Sequence, residues 1–268
     1  NLKKPPLKPN VTKQKLVLLT DFTADSLPPL LSIFCAAQGV EIEVLLSDFD
    51  SIEQTLLNKN SSLYETQPDI VALFFSEHWL ARHLRSSTLV NKSDLNKVKK
   101  TLENLVLTFL SNSQAQLLIA NLPGKSFSRP SGLIEHEEFM GWSLAIGHIN
   151  TWLTSLASSR IHLMDIAEAI FNAGGRRAMG QLNFLRARLA YEPAGQIAVA
   201  KELASNIAHV CGKTHRALLT DWDNTLWGGE VGDLGSHGVD YGQDSPDGLG
   251  YSMIQEFLKG LKTTGILL

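Results

Sequence analysis

Two carboxylates stand two residues apart in Leu218-Leu219-Thr220-Asp221-Trp222-Asp223-Asn224-Thr225-Leu226-Trp227-Gly228-Gly229. An apolar run leads straight into them. If extended backbone persists past the run, the strand period of two points Asp221 and Asp223 the same way. Both then sit at the carboxyl end of a parallel strand, where open α/β sheets place their ligands. Such a pair can hold Mg²⁺ through oxygen and leave coordination positions for a phosphate. One carboxylate can attack phosphorus while the other exchanges a proton with the leaving and attacking oxygens. The Thr225 hydroxyl and the loop N–H groups can take phosphate oxygens. A bare Asp-x-Asp after a strand also reads as a polar turn, so the elements around it decide its meaning.

Those elements alternate. Leu16 to Thr20, Val40 to Leu45, Asp69 to Phe75, Gln116 to Ala120 and Arg160 to Met164 read as strands. Helices are expected over Pro28 to Gln38, Ser51 to Leu57, Ser93 to Ser111 and Trp142 to Ser155. Strand–helix alternation implies an α/β fold with a parallel sheet covered on both faces. From Ile166 to Gly212 only helix and loop are expected, broken at Gly174-Gly175 and restarted at Pro193. A second strand-first unit opens at Arg216 to Thr220, followed by a loop, a helix over Tyr251 to Thr263 and the start of a strand at Gly265. The divisions are a basic, Pro-rich tail or linker (1–14), an α/β domain (15–175), a helical connector (176–213) and an incomplete second α/β domain (214–268). An open sheet needs more strands than this last part holds, so the chain is expected to be truncated.

Composition excludes several classes. With 268 residues, 44% apolar content, 19% charged residues and a net charge of −3, the chain is neither disordered nor built around a nucleic-acid groove. Two cysteines, Cys35 and Cys211, cannot form a disulfide scaffold; as buried thiols they imply a cytoplasmic protein. No apolar run reaches the length of a membrane span. The Lys/Pro start has no apolar core of a signal peptide. Glu135-His136-Glu137-Glu138 reads as a solvated acidic loop, Gly174-Gly175-Arg176-Arg177 as a helix break, Pro123 to Ser131 as a loop, and Trp79, Trp142 and Trp152 as core.

The whole string from the apolar run through Asp-x-Asp-x-Thr to Leu-Trp-Gly-Gly resembles motif one of the haloacid-dehalogenase (HAD) superfamily. Its extension to Asp233, together with Gly238-Val239 and Gly242-Gln243-Asp244-Ser245-Pro246-Asp247-Gly248, is similar to the FkbH-like subfamily. Upstream, Asp21-Phe22-Thr23-Ala24-Asp25 and Leu189-Ala190-Tyr191-Glu192-Pro193-Ala194-Gly195 resemble the amino-terminal region of FkbH-like proteins, whose fold is similar to SGNH hydrolases. The fold implied is an SGNH-like parallel-sheet domain followed by the start of a Rossmann-like HAD domain.

The resemblance implies Asp221 at the nucleophile position and Asp223 at the acid/base position. Mg²⁺ would be bound by the Asp221 carboxylate and the Asp223 carbonyl, and phosphate by Asn224, Thr225, Gly228 and Gly229. The third acidic ligand, a Ser/Thr contact and a Lys would lie past Leu268, so the chain alone is expected to be inactive. The activity implied is transfer of a glyceryl group from 1,3-bisphosphoglycerate to the phosphopantetheine thiol of an acyl carrier protein in polyketide-type biosynthesis. The alternatives are a HAD-type phosphatase for a small phosphorylated substrate and a non-catalytic SGNH-like scaffold. Some relatives carry Cys where this chain has Trp222, so an enzyme thioester is not expected at this motif. The SGNH nucleophile lies in Gly-Asp-Ser; here the place reads Thr20-Asp21-Phe22-Thr23, and none of the eight histidines follows Asp by three positions. Hydrolase chemistry is therefore not expected in the first domain.

Overall fold

The computed structural model describes residues 12–84, 89–124 and 134–268. The first eleven residues of the basic tail, and most of the loop expected over Pro123 to Ser131, lie outside the described residues. The chain divides into two compact units, one running to Lys213 and the other Thr214–Leu268.

In the first unit the elements are β1 (Thr12–Thr20), α1 (Leu27–Ala37), β2 (Val40–Leu46), α2 (Ile52–Leu57), α3 (Ser62–Thr66), β3 (Ile70–Phe74), α4 (Glu77–Leu84), β4 (Leu89–Asn91), α5 (Lys92–Asn112), β5 (Gln116–Ala120), β6 (Phe139–Gly141), α6 (Trp142–Leu153), β7 (Ile161–Met164), α7 (Ile166–Asn172), α8 (Gln181–Ala187) and α9 (Pro193–Val210). Five of the strands form one sheet in the order β2-β1-β3-β5-β7, every neighbour parallel. All five strands expected from the sequence are in it.

The period of two decides what each strand residue touches. Val17, Leu19, Val71, Leu73, Leu117 and Ile119 point into a core with α5 and α6. Leu16, Leu18, Ile70, Ala72, Phe74 and Leu118 point into a second core with α1, α7 and α9. Both faces are covered, so β3 is apolar and buried throughout. Trp79 and Trp142 are buried, and Trp152 packs against the first core.

Three expectations change. The segment 176–213, expected as a connector, covers the sheet: Val199, Ala200, Leu203, Ala204 and Ile207 of α9 are completely buried. A helix with such a stripe must bury it, and the open sheet face is the surface available. A small antiparallel pair, β4 with β6, was not foreseen, because three-residue strands carry too little periodicity to register. The strand expected over Arg216 to Thr220 reduces to one parallel bridge between Ala217 and Leu267. Leu218 N–H donates to the Leu267 carbonyl and Leu267 N–H to the Arg216 carbonyl, each at 2.8 Å. Leu219 is 98% exposed; no second layer among the described residues presses on it, and an apolar run without one does not extend its ladder.

The second unit contains α10 (Val231–Leu234) and α11 (Pro246–Thr263). The latter starts five residues before the expected Tyr251. Ser245 caps it, accepting from Gly248 N–H at 2.8 Å, with Pro246 in the first turn.

Close packing of α9 yields a stability test. A Cβ on Gly195 would lie 2.2 Å from the Ala178 carbonyl oxygen, whereas one on Gly147 in α6 meets nothing within 4 Å. Gly195→Ala should lose about 1–3 kcal/mol in urea denaturation, and Gly147→Ala should gain about 0.5–1 kcal/mol from helix propensity. Equal stabilities for the two variants would contradict this packing.

Candidate functional site

Asp221 and Asp223 leave the Ala217 bridge in different surroundings. Asp221 is exposed and its Oδ1 accepts from Trp222 N–H at 2.8 Å; its other oxygen takes no bond among the described residues. Asp223 is half-buried. Its Oδ1 accepts from Trp227 Nε1–H at 2.9 Å and from Val231 N–H at 3.3 Å. Extension stops here because Thr225 and Leu226 both donate back to the Trp222 carbonyl, at 3.2 and 2.8 Å.

The turn closes through Asn224. Its φ is +55°, a left-handed conformation that Asn tolerates better than most side chains, and its Oδ1 accepts from Gly229 N–H at 2.9 Å. Gly229 has φ +98°, and a Cβ there would lie 2.5 Å from Leu234 Cδ1. Gly228 exchanges two 2.8 Å bonds with Asp240. Thus Asp223, Asn224, Thr225, Gly228 and Gly229 are gathered in one loop, with Asp221 at its open edge.

Asp240 and Trp227 were not singled out from sequence. Ser245 Oγ lies 2.8 and 2.9 Å from the two Asp240 carboxylate oxygens, while also capping α11. Gly248 is small of necessity: a Cβ would lie 2.7 Å from Asp240 Oδ1. The Gly242 to Gly248 string was the available signal, as a helix start of Ser-Pro-Asp type. Beside Asp223 lies a cleft of about 490 Å³ walled by Trp222, Trp227, Val231, Val239 and Tyr241.

Among the described residues, no group of three or more His, Cys, Asp and Glu side chains could hold a metal ion. The donor set at Asp221 and Asp223 is nevertheless of the right kind for Mg²⁺, which binds hard oxygens through one or two carboxylates and fills its shell with water and phosphate. An unbonded, exposed carboxylate oxygen on Asp221 satisfies that requirement.

The first unit has its own candidate at the sheet's switch point, where β1 and β3 send their connections in opposite directions. Asp21, 3% exposed, follows β1. Its two oxygens accept from Ser76 N–H at 2.7 Å and Ser76 Oγ–H at 2.5 Å, just past β3. Phe22 is buried edge-on against Phe74 and Tyr191. Thr23 Oγ–H donates to the Ala187 carbonyl at 2.9 Å. A cavity of about 20 Å³ remains between Ser76, Phe184 and Tyr191, room for about one water. Among the described residues, side chains occupy most of the crevice.

The remaining candidates have structural places. Glu135 pairs with Lys92 at 2.7 Å on an exposed loop. Gly174 and Gly175 adopt positive φ, with Arg176 and Arg177 exposed beyond them. Cys35 and Cys211 are free thiols, and burial pushes the Cys35 thiol up to about 12. Among the described residues no helix is long and apolar enough to cross a membrane.

The family model described as FkbH, N-terminal domain, matches residues 15–190. The chain belongs to the FkbH family. The match lies within the first unit and stops just short of α9. The N-terminal part of the protein BF1531 from Bacteroides fragilis, which contains a phosphatase domain complexed with Mg, superposes on the FkbH chain with a TM-score of 0.80 at 20% identity, covering 96% of this chain and 68% of that one. Two acetyl xylan esterases are more distant neighbours. AlAXEase has a TM-score of 0.49 at 16% identity over 72% of this chain and 99% of its own. Axe2 from Geobacillus stearothermophilus has 0.47 at 13% over 72% and 94%. No curated protein sequence matches the FkbH chain.

Burial at the FkbH switch point fixes a pH test. Burial raises the Asp21 pKa above its ordinary 3.8, against the lowering effect of the Ser76 bonds. Between 3.8 and the raised value the native state holds more protons than the unfolded chain, so this group's contribution to stability falls as pH climbs through that window. Asp21→Asn should remove that slope. Urea denaturation of both proteins across pH 4 to 8 (roughly the span over which a buried carboxyl titrates) checks it: a wild-type minus variant difference that stays constant would show that Asp21 does not titrate this way.

Proposed function

We propose that the protein is a glyceryl transferase/phosphatase that moves the glyceryl group of 1,3-bisphosphoglycerate onto the phosphopantetheine thiol of an acyl carrier protein, in the cytoplasm. The observation that carries this reading is the Asp221–Asp223 loop, with one exposed carboxylate at its edge and one held by an indole and an amide. FkbH membership and the Mg-bound phosphatase domain of the BF1531 structure support it.

An acyl phosphate is already activated. The thiol sulfur attacks its carbonyl carbon, the carbon–oxygen bond to phosphorus breaks, and inorganic phosphate leaves. Asp223 takes the thiol proton through its outer oxygen. Thr225, Gly228 and Gly229 hold the phosphate through hydroxyl and amide groups, and Asn224 keeps their turn closed. Asp221, with the Asp223 carbonyl, would hold Mg²⁺, which when bound neutralises phosphate charge as the bond to carbon breaks.

The BF1531 phosphatase domain favours a second reading, phosphomonoester hydrolysis with the same residues. There Asp221 attacks phosphorus and the bond to the leaving oxygen breaks as Asp223 protonates it; Asp223 then takes a proton from the water that attacks the aspartyl-phosphate, the bond from phosphorus to Asp221 breaks, and inorganic phosphate leaves. The two readings separate on carrier dependence, since a phosphatase releases phosphate from free substrate. For the first unit, the filled crevice supports a scaffold or docking role.

In the intact protein, Asp221→Asn should cut labelled glyceryl loading of a carrier protein about 10³-fold or more and raise the Mg²⁺ concentration required. Asp223→Asn should also impair turnover, with a smaller change in Mg²⁺ requirement because its metal contact is through the carbonyl. Loading by Asp221→Asn at the wild-type rate would remove this motif from the chemistry. Phosphate release without a carrier would select the phosphatase reading.

A further inference from the structure

We infer that Trp227 is the positioning residue for Asp223, fixing which carboxylate oxygen faces the reacting groups. The inference rests on the reading of Asp223 as the proton-exchanging group. Two donors converge on one oxygen: Trp227 Nε1–H at 2.9 Å and Val231 N–H at 3.3 Å both reach Oδ1. Oδ2 takes no bond among the described residues. A carboxylate turns about a soft, two-fold torsion, so anchoring one oxygen fixes the other.

The anchor is itself held. Gly228, next to the indole, is paired on both sides with Asp240, and Gln255 Nε2–H donates to the Leu226 carbonyl at 2.7 Å. The Trp227 ring meets Trp222 edge-on, with centroids 5.9 Å apart and planes at 68°. The main-chain bonds fix the backbone on either side of Trp227, and the Trp222 ring and the Asp223 carboxylate are the contacts of the indole itself. Its position four residues after Asp223, in a loop that doubles back at Asn224, lets the N–H reach the carboxylate. A wall residue of the cleft would need only an aromatic face, which Phe also has. The N–H bond to Oδ1 is the feature that Phe cannot reproduce.

The test uses the intact protein with Trp227→Phe and Asp223→Asn. Trp227→Phe should lower kcat for glyceryl loading about tenfold or more, the scale for a misoriented group. KM for the acyl phosphate and half-activation by Mg²⁺ should stay within about twofold of wild type, since neither depends on the Oδ2 orientation. In the NMR spectrum, the indole N–H resonance that disappears in Trp227→Phe is Trp227; it should move upfield in Asp223→Asn, where an amide oxygen replaces the charged acceptor. An undiminished kcat in Trp227→Phe, or an unmoved indole resonance in Asp223→Asn, overturns the inference. Sequential triple-resonance assignment of the wild-type protein identifies the same indole N–H independently, so the resonance decides even if the Phe variant does not fold. Wild-type turnover by Asp223→Asn would instead overturn the reading of the Asp pair, a result distinct from either.

Discussion

The first unit depends on a buried carboxylate that spans the switch point of its sheet. The order β2-β1-β3 makes the connections after β1 and β3 diverge, leaving a crevice in which open α/β sheets usually bind ligands. Asp21 bridges it by taking both the N–H and the hydroxyl of Ser76. Ser76 Oγ in turn accepts from His78 N–H at 3.1 Å, in the first turn of α4. A single carboxylate thereby ties the end of the first strand to the start of a helix from the third. Burial of a carboxyl group is costly unless its oxygens are bonded, and here each receives a donor. Phe22 then turns inward onto Phe74 and Tyr191, so the chain's own side chains close the crevice.

The second unit is organised on another principle. Its loops are fixed by short side chains reaching nearby main-chain groups: Asn224 to Gly229, Ser245 to Gly248, and Asp223 to Val231. Such local bonds set turn geometry without a hydrophobic layer above them. Trp222 remains 66% exposed and Leu219 almost entirely so, while the turn that follows Trp222 is closed by Thr225 and Leu226 N–H donating to the Trp222 carbonyl. A site can therefore be well formed at the level of one loop even where its strand is a single bridge.

These two principles explain what could be read from sequence. The five strands were legible because two-sided burial writes continuous apolar runs, as in Ile70–Phe74. The last helix of the first unit was legible from Pro193 at its start, and its apolar stripe emerges in the structure. The role of the helix was not legible, since a start signal does not say what the helix covers. The start of α11 was missed because Gly248 and Gly250 weaken helix propensity, while the deciding feature, the Ser245 cap, is a single residue. At the site, Asp221 and Asp223 stood out by their spacing after an apolar run, whereas Asn224 and the two glycines entered only through the family resemblance. Trp227 and Asp240 did neither, because their partners are defined by a turn at Asn224 and by a bridge twelve residues away, neither of which leaves a period in the chain.

Two adjacent carboxylates assigned to different tasks need different surroundings, for otherwise they would compete for the same metal and the same proton. The motif alone treats them as equivalent neighbours on one strand face. The structure makes them unequal. Asp221 keeps an oxygen open to solvent, as a hard-cation ligand or nucleophile must. Asp223 gives one oxygen to the indole and amide, and the residue lines a cleft with apolar walls. The turn at Asn224 produces this difference: it ends the extended backbone that would have presented both groups alike and carries Trp227 back over the second. The residues after the aspartates therefore shape the site, because their fold leaves one carboxylate open to solvent and orients the other.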